Sequence, residues 1–526
     1  MNPTDFQKKW ISKHWKQICF LILLVVICYI QTLPYAFLSD DISVIQNNPY
    51  IGDFGSAFVR PQSALRSLLY TSIHTISGAS PILYRLSNIL FHMGSVIVVF
   101  ATVSLLAPEI LAFFTASFFA IHPLAIESVT WISGGTYSQY GFFMLTSFFF
   151  YIVARGNKQR LLLSILFFGL SLWSSEKAAI LPLIILWYEL CFGNLKDSYK
   201  KISGYMSISF FYGLFYIFQI KQRISILETN FYEKPQVLNS FYQIPIALST
   251  YLSLFFVPVG LSFYHTELSF SAIEFIIRLI STIGLFTLII YAYKKQKFIA
   301  FWLGFFAISL FPTLTPLPVA WVVAERYVYV GIVSLCAFIS WFFYNGYKNE
   351  NTKIIAVGFF GILLTFFLAV SILRNNDWKD QDALWIATAV TSPNSPQNHN
   401  NLGDLYARRA DLDRAIIEFK RATELNPNYG DAFHNLANTY QQKQDYKNAL
   451  KYYQKAISIN PNLWQSYQNM ARIYFLIQRY SDAEEAIRIA IKINPQDINL
   501  YKGLISILLK EKKNEEAQLL INKLSK

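Results

Sequence analysis

Two adjacent carboxylates follow a long apolar run near the start of the chain. The run covers residues 18–37, and Ser39-Asp40-Asp41 comes directly after it. A carboxylate held where water meets lipid is partly desolvated, and while ionised it can act as general base on an incoming hydroxyl group. The alternative is structural, with Asp40 capping the next helix and Asp41 solvated. We expect Asp40 or Asp41 to be catalytic.

More polar residues recur near the ends of later apolar runs. Charges at this depth are costly, and they usually face a cavity or one another. The candidates for substrate binding are Arg60, His92, His122, Glu127, Glu176, Lys177, Glu325, Arg326 and Tyr327. Each one alone is better explained by an ion pair or hydrogen bond between helices. Taken together, they predict a polar cleft that opens sideways to lipid.

Proton removal from a hydroxyl group by a carboxylate, with cations nearby, requires no cofactor. Carboxylates suit Mg²⁺ or Mn²⁺, so a divalent metal at Asp40 and Asp41 is an alternative, although the sequence offers no evident third oxygen ligand. The four cysteines all lie inside apolar runs. Their spacing fits neither a metal site nor a disulfide framework, which predicts that they serve in packing.

The elements that must position these residues are apolar. Of the 526 residues, 54% are hydrophobic and only 15% are charged, which is unusual for a soluble protein of this size. Apolar runs of about 17–25 residues are long enough to cross a bilayer. The sequence predicts eleven spans, at 18–37, 86–107, 109–124, 138–154, 161–174, 177–193, 203–220, 273–293, 298–315, 325–344 and 353–373.

Lysine and arginine in short loops between spans predict the orientation, because such loops face the cytoplasm. These cations fall on one face only if the segment 245–263, which contains Pro245 and Pro258, does not cross. We therefore expect an interfacial helix there, a cytoplasmic N-terminus, and an outer or luminal C-terminus. The membrane would be a bacterial inner membrane or an endoplasmic-reticulum equivalent. The net charge of +13 fits this arrangement and predicts no nucleic-acid partner.

The first outer loop, residues 38–85, contains a further apolar pattern. Leu65, Leu68, Leu69, Ile73 and Ile76 recur at spacings of three and four residues. This spacing places them on one face of a helix, which suits a helix lying flat on the membrane surface.

The last part of the chain repeats every 34 residues. Pro393, Pro427, Pro461 and Pro495 mark the period, with small residues recurring between them where two helices would touch. This is the tetratricopeptide period. It predicts a membrane domain at 1–375, a connecting helix at 376–395 and a repeat domain at 396–526. The copies are 396–429, 430–463, 464–497 and a partial one at 498–526.

Asparagines recur on the face of the repeats that is expected to be concave. Asn401, Asn435, Asn438 and Asn469 could bind an extended acceptor peptide through its backbone. Such asparagines also tie neighbouring helices together, and the sequence favours neither reading. Outside the membrane, the repeats would raise the acceptor concentration near the cleft.

The ordered set of motifs resembles one family. It consists of Asp40-Asp41, Arg60-Pro61, Tyr84-Arg85 with Asn88 and His92, His122-Pro123 with Glu127-Ser128, Trp131-Ile132-Ser133-Gly134, Ser174-Ser175-Glu176-Lys177 and Glu325-Arg326-Tyr327. With the repeats, it resembles the transmembrane and tetratricopeptide-repeat O-mannosyltransferases and their bacterial relatives in the GT-C superfamily. The resemblance implies an all-α fold, a polytopic GT-C-type domain followed by a repeat solenoid.

The resemblance also implies an activity. Such a protein would be an inverting hexosyltransferase that takes a sugar from a polyprenyl-phosphate carrier to a hydroxyl group, often on Ser or Thr of an exported protein. Asp40 or Asp41 would be the base, with a slight preference for Asp40. His122 and Glu127 would line the cleft, and Arg326 would neutralise the departing phosphate.

The chain departs from the family pattern at two places. The family commonly has an arginine and an acidic residue where Gly134 is followed by Gly135-Thr136, and its usual Ser-Lys-Glu reads Ser174-Ser175-Glu176 with the lysine at Lys177. These departures concern the identity of the donor more than the reaction class. The alternatives are a transferase that modifies a lipid or surface glycan, a non-enzymatic repeat scaffold for envelope assembly and, last, a transporter.

Overall fold

The computed structural model describes residues 3–58, 63–229, 240–263, 265, 270–314 and 322–524. Helices form the regular structure in these ranges, and no strand occurs in them, which confirms the predicted all-α class. The chain forms two compact units. The first comprises residues 1–223 and 237–387, and the second comprises residues 224–236 and 388–526.

The first fifteen helices in chain order are mostly long and apolar. They are α1 (Pro3–Tyr29), α2 (Ala64–Ser77), α3 (Pro81–Leu106), α4 (Glu109–Ile121), α5 (Ile126–Thr130), α6 (Gly135–Ala154), α7 (Lys158–Leu172), α8 (Leu181–Phe192), α9 (Leu195–Thr229), α10 (Ser240–Phe256), α11 (Ala272–Lys295), α12 (Lys297–Leu310), α13 (Tyr329–Lys348), α14 (Lys353–Asn376) and α15 (Gln381–Thr391).

Five helical segments within the described ranges are long and apolar enough to cross a membrane. They lie at Trp10–Thr32, Pro81–Leu106, Ala272–Lys295, Glu325–Lys348 and Lys353–Asn376, and α4 with the bent segment after it makes a sixth if the pair counts as one span. The chain is therefore a membrane protein. Every predicted span coincides with a helix, but several of those helices are short, so the count of eleven crossings stays a prediction.

A break at His122-Pro123 redirects the chain between α4 and α5. Proline lacks the N–H that a continuous helix needs and clashes with the preceding turn, so the helix ends before it. The two halves meet at 54°. The bent segment carries Glu127 and is followed by Trp131, and both residues are buried.

The core of the first unit forms where α3 packs against α4 and α6, and where α13 packs against α4 and α12. Aromatic rings fill much of it. Phe114 and Phe360 lie 4.2 Å apart between ring centroids, and Phe118 lies 5.0 Å from Phe360. Such close ring packing gives a rigid frame for the segments that enter it.

The amphipathic helix predicted in the first loop is α2. Its buried face differs from the predicted apolar stripe, because Ile76 is 77% exposed whereas Arg66 and Tyr70 are buried. Arg66 lies over the Tyr70 ring at 4.5 Å and donates to the backbone carbonyl of Ile132 at 2.6 Å. A polar contact with the protein therefore sets the rotation of this helix.

The ambiguous segment at 245–263 is largely helical. Helix α10 covers Ser240–Phe256 with Pro245 inside it, and it packs against α11. Before it, α9 continues to Thr229, beyond the predicted end of that span at 220. Whether α10 lies at the membrane interface stays a prediction.

Within the second unit, the described residues from 396 to 524 form eight helices arranged as four hairpins. They are α16 (Pro396–Arg408), α17 (Leu412–Leu425), α18 (Gly430–Gln442), α19 (Tyr446–Ile459), α20 (Trp464–Leu476), α21 (Tyr480–Ile493), α22 (Ile498–Lys510) and α23 (Asn514–Leu524). Small residues allow the close approach within a hairpin. A Cβ added at Gly403 would lie 2.6 Å from the Phe419 ring.

The turn inside each hairpin has the same backbone conformation. Ala410, Gln444, Gln478 and Lys512, which recur every 34 residues, have φ angles of 60°, 62°, 62° and 64°. This left-handed conformation is uncommon for residues other than glycine. The repeat is therefore a repeat of dihedral angles as well as of sequence.

Candidate active site

A tight turn at Ser39 directly precedes the two aspartates, which differ in burial. Ser39 adopts a left-handed conformation with φ of 48°, a strain of the kind that accumulates at functional sites. Asp41 is fully buried, and its carboxylate accepts hydrogen bonds from the backbone N–H of Leu38 at 3.1 Å and of Ser133 at 2.8 Å. The Ser133 hydroxyl donates a third, at 2.5 Å. Asp41 thus fastens the turn to residue 133.

Burial raises the pKa of the Asp41 carboxyl to about 6, although its hydrogen bonds from Ser133 and Leu38 and the charge of Arg85 lower it in part. Asp40 differs from its neighbour, because its side chain is exposed at the surface of the turn. Enough protein surrounds the Asp40 carboxyl to raise its pKa as well, and the positive charge of Arg326 opposes that rise. Asp40 is therefore the accessible carboxylate of the pair, and it lies within electrostatic reach of Arg326.

Residues 131–135, which we call the 131–135 turn, connect the aspartate turn to the rest of the site. The Trp131 indole N–H donates to the Leu38 carbonyl at 3.4 Å, and the Arg326 guanidinium lies 5.6 Å from the Trp131 ring centroid. Added Cβ atoms at Gly134 and Gly135 would lie 2.2 Å from the Glu127 carbonyl oxygen and 1.9 Å from Asn88 Oδ1. Packing therefore requires glycine at both positions.

The second of these glycines explains one departure from the family pattern. Asn88 fills the space beside Gly135, where its amide donates to the carbonyls of Trp131 and Ile132 at 3.1 and 3.2 Å. Its oxygen accepts from Arg66 at 2.7 Å. An arginine at position 135 would displace this amide.

Glu127 and Arg326 form a buried ion pair. The Arg326 backbone N–H donates to Glu127 Oε2 at 2.8 Å, while the Arg326 guanidinium contacts Oε1. The Glu127 side chain is 1% exposed and that of Arg326 is 11% exposed, so the pair is almost entirely enclosed. The paired carboxylate fixes the guanidinium, whose five N–H donors exceed what one carboxylate can accept.

A second cation lies beside Arg326. Lys177 Nζ is 5.1 Å from the ring centroids of both Tyr137 and Tyr327, and it pairs with Glu176 at 3.7 Å. The Tyr327 ring also lies 5.2 Å from the Arg326 guanidinium. The lysine that is displaced by one position in the sequence thus contacts the Tyr327 ring, which Arg326 also contacts.

Glu325, the residue before Arg326, forms ion pairs with other partners. Its side chain is fully buried, and Oε1 accepts from the Ser262 backbone N–H at 2.6 Å and lies 3.3 Å from Arg374 and 3.5 Å from His265. Arg374 also pairs with Asp377 at 2.9 Å. This network fixes the segment that precedes α13.

The two predicted histidines are enclosed by the protein. His92 is within 2.9 Å of the Tyr329 hydroxyl and 3.1 Å of the Ala120 carbonyl. His122 accepts from the Leu124 backbone N–H at 3.2 Å, and its other nitrogen lies 3.3 Å from the Phe255 carbonyl. Both side chains are fully buried, so these contacts join helices.

Arg60 lies outside the described residues. Two further arginines support the site: Arg85, which belongs to the Tyr84-Arg85 motif, and Arg66 of α2, which was not among the candidate residues. The buried Arg85 guanidinium donates to the carbonyls of Leu33, Tyr35, Ala36 and Thr130 at 2.6–3.1 Å. It thereby ties the end of the first span to the segment before the 131–135 turn. Arg85 directly precedes the predicted span at 86–107, and a charge at the end of a span was the signal for this role.

The asparagines of the repeats form a ladder between helices. The Asn435 amide donates to Asn400 at 3.0 Å, and the Asn469 amide donates to Asn438 at 2.8 Å. Asn438 also accepts from the Tyr453 hydroxyl. These contacts give the ladder a structural role, while acceptor binding by Asn401, Asn435, Asn438 and Asn469 stays a prediction.

Among the described residues, no group of three or more His, Cys, Asp or Glu is arranged to hold a metal ion. All four cysteines are free, and only Cys19 is exposed.

Family models and curated relatives agree with the resemblance. Models described as Tetratricopeptide repeat match residues 430–463 and 452–485, and one described as TPR repeat matches 403–444. The chain is 20% identical over 489 residues to protein O-mannosyl-transferase TMTC3 of Mus musculus, which covers 80% of this chain and 52% of that protein. The human TMTC3 is 22% identical over 480 residues, covering 78% and 52%.

A protein O-mannosyl-transferase of Caenorhabditis elegans is 23% identical over 465 residues, covering 80% of this chain and 64% of that protein. The chain thus spans about half to two thirds of the length of these relatives. Among solved structures, the crystal structure of MamA protein covers 27% of this chain, with 21% identity and a TM-score of 0.26. The resemblance to O-mannosyltransferases with tetratricopeptide repeats is confirmed as a similarity over most of this chain.

Proposed function

We propose that this chain is an integral-membrane inverting glycosyltransferase. It transfers a hexose from a polyprenyl-phosphate donor to Ser or Thr hydroxyl groups of proteins on the non-cytoplasmic side of the membrane. The observation that carries the proposal is one accessible carboxylate, Asp40, within electrostatic reach of Arg326, which contacts Trp131 of the 131–135 turn and shares the Tyr327 ring with a second cation, Lys177. The names of the curated relatives support the same reaction class.

The proposed mechanism needs a base on one side of the anomeric carbon and cations on the other. Asp40 removes the proton as the acceptor hydroxyl attacks the anomeric carbon. The bond from that carbon to the phosphate oxygen breaks, and the lipid phosphate leaves with the electron pair. Arg326 and Lys177 neutralise the charge that develops on it. Attack opposite to the leaving group inverts the configuration.

Asp41, Glu127 and Glu176 position these groups in the proposal. Asp41 holds the turn that presents Asp40, through its hydrogen bonds from Ser133 and Leu38. Glu127 orients the Arg326 guanidinium, and Glu176 pairs with Lys177. In the proposal, these contacts hold the groups in place for transfer, which lowers the cost of reorganisation.

The tetratricopeptide repeats are the part of the chain that we assign to the acceptor protein. We propose that they bind exported proteins and hold them near the membrane unit, which raises the local concentration of hydroxyl acceptors. Asn401, Asn435, Asn438 and Asn469 are the proposed acceptor contacts, in addition to the hydrogen bonds by which Asn435, Asn438 and Asn469 join neighbouring helices.

The experiment compares exported proteins from cells that lack the chain with those from cells complemented by the wild type or by Asp40→Asn. Peptide mass spectrometry measures hexose on Ser and Thr. We expect hexose only with the wild type. Hexose that does not depend on the chain would overturn the proposal, and hexose on lipid or glycan alone would indicate the alternative transferase.

A further inference from the structure

The segment that follows the last predicted span, on the way to the repeats, packs against the candidate site. It comprises residues 375–379, at the end of α14 and in the turn before α15, and we call it the 375–379 segment. The Trp378 side chain is fully buried, and its ring stacks on the Trp131 ring with 6.0 Å between centroids and 26° between planes. The Phe263 ring contacts both, at 5.3 Å from Trp131 and 5.6 Å from Trp378. Trp378 is thus in direct contact with the 131–135 turn.

Hydrogen bonds on either side of Trp378 fix this segment to the site. The Thr130 hydroxyl donates to the side-chain oxygen of Asn375 at 2.6 Å. The Ala36 backbone N–H donates to the Lys379 carbonyl at 3.0 Å. Because the chain is held both before and after Trp378, its ring has little freedom to move away from the 131–135 turn.

Trp131 in turn contacts both parts of the site that the proposed reaction needs. Its indole N–H donates to the carbonyl of Leu38, two residues before Asp40, and its ring lies 5.6 Å from the Arg326 guanidinium. The Trp131 side chain is buried, so its position depends on the groups packed around it. A displacement of this ring would therefore disturb the aspartate turn and Arg326 together.

A second series of contacts leads from Trp378 to the same arginine. The Arg374 guanidinium lies 5.8 Å from the centroid of the Trp378 ring. It also lies 3.3 Å from the carboxylate of Glu325, the residue before Arg326. Trp378 thus contacts one neighbour of Arg326 through the 131–135 turn and another through this ion pair.

We infer that Trp378 is a positioning residue for glycosyl transfer. Its ring holds Trp131, which keeps the backbone before Asp40 and the Arg326 guanidinium in the arrangement that the reaction requires. The inference rests on the proposed function and adds a residue that touches no substrate, because Trp378 is fully buried. The arrangement of the reacting groups then depends on the part of the chain that leads to the repeats.

Stacking by Trp378 can be separated from its filling of the interior. Among the described residues, no group accepts a hydrogen bond from the Trp378 indole N–H, so its contribution is that of an aromatic face. Trp378→Phe keeps such a face, and Trp378→Leu removes it. Trp302 on α12 is a matched control, because it is 1% exposed and its indole N–H also lacks an acceptor among these residues. The Trp302 ring packs among other rings, those of Phe298, Phe301 and Phe305.

The first experiment measures positions without transfer. Hydrogen exchange with mass spectrometry follows the backbone N–H groups of Leu38 and Ser133, which donate to Asp41, in the full-length protein in nanodiscs. We expect exchange to be about tenfold faster at both in Trp378→Leu and unchanged in Trp378→Phe and Trp302→Leu. Unchanged exchange in Trp378→Leu, or an equal increase in Trp302→Leu, would overturn the inference. If Trp378→Leu does not fold, Trp378→Met, which fills more of the space without a ring, takes its place.

The second experiment separates this inference from the proposed function. Transfer from a polyprenyl-phosphate sugar is measured with the same variants. Misplacing reacting groups by about 1 Å can lower a rate about 10²-fold, so we expect a loss of this size in the kcat of Trp378→Leu. The KM of the donor should change less than about threefold, because the charges of Arg326 and Lys177 remain to attract its phosphate. Trp378→Phe and Trp302→Leu should keep kcat within about threefold of the wild type.

The outcomes that contradict the inference differ from those that contradict the function. An equal loss of kcat in Trp302→Leu and Trp378→Leu, or no loss in either, would refute the positioning role while leaving the function standing. Absence of transfer by the wild type would refute the proposed function itself.

Discussion

A double-mutant cycle can separate what the buried pair of Glu127 and Arg326 contributes to folding stability from what it contributes to sugar transfer. Removing one partner of a buried ion pair costs about 3–5 kcal/mol, because the other charge remains buried without compensation. The Glu127 side chain is 1% exposed and that of Arg326 is 11% exposed, so this range applies to both. We expect Arg326→Met to lose about 3–5 kcal/mol and Glu127→Gln somewhat less, because glutamine still accepts from the Arg326 backbone N–H.

The double variant Glu127→Gln/Arg326→Met should recover most of that stability, to within about 1–2 kcal/mol of the wild type, because neither charge then remains. Transfer should not recover. Loss of the cation that faces the leaving phosphate lowers kcat about 10²–10³-fold, whatever the state of the fold. The two readouts should therefore separate in the double variant.

Stability is measured in detergent by the reaction of a thiol-reactive fluorophore with Cys28, Cys191 and Cys336, which are buried and become accessible on unfolding. Transfer is measured with radiolabelled donor. Arg408→Met is the control, because Arg408 pairs with Asp404 on the repeat surface and should change stability by less than about 1 kcal/mol. If the double variant regains transfer along with stability, Arg326 is structural and the phosphate-binding role is refuted.

Three further predictions address the other groups of the site. Asp40→Asn should lower kcat about 10²–10⁴-fold, whereas Asp53→Asn, at an exposed carboxylate of the same loop, should change it less than about twofold, both in the radiolabel assay. The pKa of the Asp41 carboxyl is raised from 3.8 to about 6 in the folded state, so the folded state binds more protons than the unfolded state between pH 3.8 and pH 6. The free energy of unfolding of the wild type should therefore fall by about 3 kcal/mol as the pH rises through that window. Melting scans from pH 4 to pH 7 should show that this pH-dependent loss of stability is missing in Asp41→Asn. A variant with the same pH dependence as the wild type would contradict the burial of the Asp41 carboxyl. Lys177→Gln should raise the KM of the donor about tenfold, whereas Lys177→Arg should keep a KM close to that of the wild type. Equal KM values for the two variants would exclude a role of the Lys177 charge in donor binding.

Periodic features of the fold were predictable, because period and packing are properties of local sequence. The 34-residue spacing gave the helix pairs, and small residues such as Gly403 lie where two helices touch. The 3–4 spacing also gave α2, but not its rotation. A stripe of leucines and isoleucines could not show that the Arg66 guanidinium would turn inward to meet the carbonyl of Ile132.

The candidate site was predictable as a set of residues and not as an arrangement. The adjacent aspartates look equivalent in sequence, yet a backbone turn at Ser39 buries Asp41 and leaves Asp40 accessible. The histidines at 92 and 122 are polar residues of the kind expected in a cleft, but carbonyl groups more than 25 positions away complete their hydrogen bonds. Partners so distant along the chain depend on tertiary packing, which sequence spacing alone does not determine.

The left-handed residue in the turn of every hairpin has a consequence for how the repeat array could change length. Alanine, glutamine, glutamine and lysine occupy this position in the four copies, so the turn fixes a dihedral angle and leaves the side chain free. Each copy therefore carries its own conformational cost, about 1 kcal/mol, and the cost grows in proportion to the number of copies. Duplicating a hairpin adds this cost together with a new stacking interface, so an array of this kind can be lengthened one unit at a time. Glycine at all four positions would remove the cost throughout and leave the stacking surfaces as they are.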